Sequence, residues 1–195
     1  MPLLSLRGFA VSLIFVLAAG ALSQAQFDMP LNHPGQDTTP QQVHELVSQY
    51  CRLDYEGARL DPQTWAKLES LVSWKTNPDY EHIDVIARYT VEATPVVAHG
   101  KSTVKVEYQS LGQFETGVGY SRRAESSKVV EYTVTGENGE WRISDAEPNF
   151  PHVSRAAMLR WLNEQIGTTQ DPNAKNLYQE TLRQLQVQPA SPVTK

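Results

Sequence analysis

Four stretches of the chain alternate apolar and polar residues one by one. Ile83, Val85, Ala87, Tyr89, Val91 and Ala93 alternate with Asp84, Arg88, Thr90, Glu92 and Thr94. Val104, Val106 and Tyr108 alternate with Thr103, Lys105, Glu107 and Gln109. Val130, Tyr132 and Val134 alternate with Glu131, Thr133 and Thr135, and Trp141 and Ile143 with Arg142 and Ser144. Period two is the signature of a strand with one dry and one wet face, and four such runs predict an antiparallel sheet. The dry face needs cover. Helical spacing on both flanks supplies it. Val43, Leu46, Val47, Tyr50 and Cys51 form one stripe; Trp65, Leu68, Leu71 and Val72 a second. After the sheet come Met158, Leu159, Trp161, Leu162 and Ile166, then Leu177, Tyr178, Leu182 and Leu185.

The residues between these runs are breakers and caps. Thr39-Pro40 with Gln42 opens the first helix and Gly57 closes it. Asp61-Pro62 opens the second, and Lys75 to Asp79 breaks it. Pro95 removes a ladder donor, which predicts an edge or a bulge there. His99-Gly100 turns the chain into the second strand, and Asn138-Gly139 marks a tight hairpin. Gln113 to Ser126, with Gly117 and Gly119, reads as a long mobile loop. Pro148 and Pro151 lift the chain off the sheet, Ser154 caps a third helix that Gly167 stops, and Asp171-Pro172 opens a fourth.

The N-terminus changes the compartment. Arg7, an apolar run from Phe9 to Leu22 and the small residues of Ser23-Gln24-Ala25 are laid out as a secretory signal peptide, residues 1–25. The expected mature protein is exported, periplasmic or extracellular. Residues 26–38 read as a disordered lead-in, 39–186 as a single domain and 187–195 as a disordered tail. Without the signal, Lys+Arg falls from 17 to 16 against 22 Asp+Glu, a net charge of −6. That balance argues against nucleic acid and against stable membrane association after cleavage. Cys51 is the only cysteine, so no internal disulfide forms. It lies on an apolar stripe and is expected to be buried and slow to react.

The order of elements, carried by Tyr50 to Trp74 (YCRLDYEGARLDPQTWAKLESLVSW), the four strands and Trp141-Arg142-Ile143 before the prolines, resembles the nuclear transport factor 2-like superfamily. The resemblance implies an α+β fold: a strongly curved antiparallel sheet of four or more strands wrapped round the first helix as a cone, here with additional C-terminal helices. Members are enzymes such as ketosteroid isomerase and scytalone dehydratase, ligand binders or structural domains, so fold alone assigns no activity. The helix from Asp171 departs from the minimal pattern.

No sharp catalytic motif is present. The five histidines have no ligand spacing, so neither a metal nor a cofactor is expected. The candidates are polar residues on dry faces. Asp54 continues the stripe of Val43, Val47 and Tyr50, and Asp145 follows Trp141 and Ile143. A ligand site would be lined by Tyr50, Asp54, Tyr89, Tyr108, Tyr132 and Trp141, with Arg122 and Arg123 available to an anion. The leading expectation is an exported, non-catalytic domain binding a small apolar ligand or a protein partner. The alternatives are a small lyase or isomerase, with Asp54 or Asp145 as base and Tyr50 as donor, and a dimerising scaffold with a filled core.

Overall fold

Two helices, α1 (Pro40–Tyr55) and α2 (Pro62–Glu69), precede strands β1 (His82–Val91), β2 (Val96–Ala98), β3 (Lys101–Glu115), β4 (Gly119–Glu137), β5 (Glu140–Glu147) and β6 (His152–Ser154); helices α3 (Arg155–Thr168) and α4 (Pro172–Val187) follow. The computed structural model describes residues 40–74, 81–93, 95–137, 140–147 and 149–187. The signal, the lead-in, the Thr39 cap, the Asn138-Gly139 turn and the tail beyond 187 lie outside the described residues.

The caps act where the sequence puts them. Asp61 accepts the Gln63 amide at 2.8 Å, and Ser154 accepts the Ala157 amide at 3.1 Å. Gly57, at φ +92°, closes α1 with a pair of bonds, Gly57 N–H to Asp54 C=O at 2.8 Å and Ala58 N–H to Leu53 C=O at 2.9 Å. Gly167 does not stop α3, which runs one residue further, and Val187 belongs to α4 rather than to a tail.

The strands lie in the order β5-β4-β3-β1-β6, with β2 on β3 beyond the end of β1. Pro95 falls in the gap between β1 and β2, where no ladder donor is needed. His99 and Gly100, both at positive φ, make the two-residue turn into β3. α1 touches β1, β3, β5 and β6, so the sheet curls round it. The architecture is α+β with a strongly curled sheet. The ladders are antiparallel except at β6, which returns beside β1 in parallel.

The expected Gln113–Ser126 loop does not exist. β3 runs on to Glu115 and β4 begins at Gly119, so the turn is three residues long, with the positive-φ glycine Gly117 at its centre and a second, Gly119, at the start of β4. Phe114 pairs with Tyr120 across this arm, and both point into a core. The polar residues that suggest a loop, Ser121, Arg122 and Arg123, sit on exposed strand.

The described residues form two cores. One fills the inside of the curl, from α1 and α2 to Val104, Val106, Tyr108, Val130, Tyr132 and Ile143. The second lies under α3 and α4, against Ile83, Val85, Leu111 and Phe114. β1 serves both, and register shifts at Val85/Ile86 and Ile86/Arg88 make this work: Ile83 and Val85 face the second core, whereas Tyr89 and Val91 beyond the shifts pack against the first, on the side of Ile86 and Asp84. Asp84, assigned by alternation to a wet face, is therefore fully buried. A bulge in β5 overturns the inward placement of Asp145. Thr133 pairs with Asp145 and Val134 with Ile143, leaving Ser144 as the extra residue, so Ala146 turns inward and Asp145 outward.

Candidate functional site

Asp54 stands on the last turn of α1, where the stripe is still directed at the sheet, and it is 0% exposed. Its Oδ2 accepts the backbone N–H of His152 at 3.0 Å and lies 3.8 Å from the ring Nδ1. β6 carries His152 there, because the chain returning from β5 pairs beside β1 and sets His152 opposite Asp84. The imidazole stacks on Tyr108 (centroids 4.0 Å apart, planes at 11°) and on Phe150 (5.0 Å, 30°). The Tyr108 hydroxyl meets that of Tyr132 at 2.8 Å and the thiol of Cys51 at 3.2 Å. Arg59, in the turn after α1, donates to the Tyr50 hydroxyl at 3.2 Å and is itself buried.

Tyr50, Asp54, Tyr108 and Tyr132 thus converge, joined by Cys51, Arg59 and His152. Tyr89 lies at the edge of this group, half-buried, its ring 6.2 Å from that of Tyr108. Trp141 is elsewhere, lying over Gly136, where a Cβ would come within 2.9 Å of the indole. Asp145 caps its own neighbour, accepting the Ala146 amide at 2.9 Å. Arg122 and Arg123 are exposed, and Arg123 donates to Gln113 Oε1 at 2.8 Å.

A second buried carboxylate borders the site. Asp84 accepts from Ser110 Oγ at 3.0 Å and from Lys128 Nζ at 2.9 Å. The break in alternation at Ile86 was its one sign in the sequence. For Arg59 and His152 there was none: neither lies in a periodic run.

Burial sets the protonation of the interior. It pushes the Cys51 thiol up to about 12, with Asp54 adding to the shift and Tyr108 opposing it. Burial likewise raises Tyr50, Tyr108 and Tyr132 above the ordinary tyrosine value. For Arg59 burial works against the charge, but Tyr50 and Asp54 outweigh it and the net shift is upward. At neutral pH the site therefore holds neutral hydroxyls, a neutral thiol and one fixed guanidinium. Native Cys51 should resist a thiol reagent at neutral pH, reacting about tenfold or more slowly than in urea-unfolded protein. Equal native and unfolded labelling rates would contradict this.

Among the described residues, no group of three or more His, Cys, Asp or Glu side chains could hold a metal ion, and no helix is long and apolar enough to cross a membrane. A half-open cleft of about 370 Å³ lies beyond the end of α1, lined by Leu53, Ala58, Leu60, Thr64, Arg160 and Trp161 among others, but by none of the convergent residues. Comparison of the chain with family models, curated proteins and solved structures gives no match.

Proposed function

We propose that this is an exported, non-catalytic binding domain of the nuclear transport factor 2-like kind, holding a small molecule inside the curl at Asp54 and His152. One observation carries the reading. Asp54 Oδ1 and both ring nitrogens of His152 are buried with no hydrogen-bond partner among the described residues. Each such group costs about 1–3 kcal/mol when left unsatisfied, and these three cluster on two neighbouring side chains, which favours a polar partner there. A ligand with an O–H or N–H for Oδ1, and a second polar group for the imidazole, would satisfy all three. Shape and apolar contact would come from Tyr50, Tyr108 and Tyr132. Binding is favoured over turnover because the interior nucleophiles, Cys51 and the tyrosines, are held protonated. The 3.8 Å approach of Asp54 to the imidazole supports a second reading, an acid–base pair.

Native mass spectrometry of the purified protein tests this, with Asp54→Asn beside the wild type. Asparagine keeps an acceptor for the His152 amide but puts a donor where Oδ1 stood. The wild type should retain a bound molecule that raises its melting temperature, and Asp54→Asn should fold and lose both. Equal retention by the two proteins would remove Asp54 from the site. Conversion of the bound molecule over time would establish the acid–base reading instead.

A further inference from the structure

The groups of the site are almost completely buried, so a ligand needs a way in. We propose that Phe150 is the removable cover of the His152 site, held down by Lys128, and that ligand enters beneath it. This rests on the reading of Asp54 and His152 as a binding site.

The walls of the site differ in how firmly they are built. Cys51 and Asp54 stand on a helix, Tyr108 and Tyr132 on the paired strands β3 and β4, and their backbones cannot shift without breaking helix or sheet hydrogen bonds. Phe150 stands in a bend outside helix and strand, between β5 and β6. The chain is pinned again one residue later, where Pro151 C=O accepts the Asp84 amide at 2.9 Å. Burial is graded along the ring column: Phe150 is half-buried, while His152 and Tyr108 beneath it are each 1% exposed. Phe150 is thus the outermost ring, and the face of His152 opposite Tyr108 is the one it covers.

Lys128 accounts for the resting position. Its ammonium is 5.7 Å from the Phe150 ring centre, within reach of a cation–π attraction, and 2.9 Å from Asp84 Oδ2. Asp84 is fully buried, whereas the Lys128 side chain is 27% exposed. The carboxylate therefore anchors the lysine from inside, and the lysine holds the ring from outside. Both partners of the ring are weak and non-covalent, so Phe150 can lift while Asp84, Ser110 and Pro151 stay in place. The cleft beyond α1 is the competing entrance, and Leu53, which lines it and packs against the first core, stands between the two.

Acylation of histidine nitrogens by diethyl pyrocarbonate, followed by peptide mass mapping, tests the cover without any ligand. His99, exposed in its turn, is the internal reference. In the wild type His152 should react at least about tenfold more slowly than His99, and in Phe150→Ala within a few-fold of it. Leu53→Ala should leave His152 slow. Urea well below the unfolding midpoint guards against a merely destabilised variant. Modification through a lifted ring is almost independent of urea, whereas modification through global unfolding rises steeply with it. A slow His152 in Phe150→Ala, a fast one in Leu53→Ala, or a steep urea dependence in Phe150→Ala would each overturn the proposal. Loss of ligand retention in Asp54→Asn is read separately, so the binding site and its cover can fail independently.

Discussion

Arg59→Ala is expected to lower the unfolding free energy by about 3–5 kcal/mol, through an uncompensated buried charge and a cavity together. Among the described residues, Arg59 is the largest fully buried side chain. It donates to Tyr50, and the charge of Asp54 acts on it. Removing it takes a cation from beside a carboxylate that is 0% exposed and leaves a space among Tyr50 and Tyr132. In a domain of this size the loss corresponds to a melting temperature lower by roughly 10 °C. Two further variants divide the effect. Arg59→Met restores most of the volume without charge, and Arg59→Lys keeps the charge without the planar fork. If the charge matters most, methionine should remain about 2 kcal/mol or more below wild type, with lysine closer to it. Methionine within about 0.5 kcal/mol of wild type would mean that Asp54 does not depend on Arg59.

That prediction could not have been made from the sequence. The alternation of β3 and the helical stripe of α1 were legible because each faces one core along most of its length, so period two and period 3.6 survive unbroken. The stripe led correctly to an inward Asp54, and the alternation to inward Tyr108 and Tyr132. What defeated the reading was change of phase. One extra residue in β5 turned Asp145 to solvent, and the shifts in β1 buried Asp84. A bulge leaves only a faint trace in a sequence, since it is a count of residues against a partner strand that the sequence does not identify. The β3–β4 arm misled for a different reason. Its exposed polar residues look like a loop, while the apolar pair that makes it a hairpin, Phe114 and Tyr120, lies on opposite sides of the turn.

Arg59 and His152 show a further limit. Arg59 lies in a turn, where no period applies, and becomes interior because the bonds at Gly57 fold the chain back after α1. His152 lies in a strand of three residues whose parallel pairing to β1 depends on a crossing from the far edge of the sheet. Both meet Asp54 through long-range topology, and residue spacing carries no information about that.

The same buried cluster should make the protein unusually sensitive to alkali. Cys51, Tyr50, Tyr108 and Tyr132 all keep their protons to higher pH in the folded chain than in the unfolded one, burial being the largest cause for each. Below about pH 8.5 both states hold these protons and stability is unaffected. Above it the unfolded chain releases protons that the folded chain retains, so stability falls as pH rises, first through cysteine and from about pH 10 through the tyrosines as well. Each pH unit in such a window costs about 1.4 kcal/mol per group. By pH 11 the four groups together withdraw on the order of 7 kcal/mol, a large part of the ~5–15 kcal/mol that holds a domain folded. Urea unfolding between pH 7 and 11 measures this directly: the midpoint should stay level to about pH 8.5, then fall, and steepen beyond about 10. Cys51→Ala should delay the onset toward the tyrosine range, and Tyr132→Phe should reduce the steepness above it. A wild-type midpoint that stays level to pH 11, or an onset unmoved in Cys51→Ala, would mean that these groups reach solvent in the folded protein.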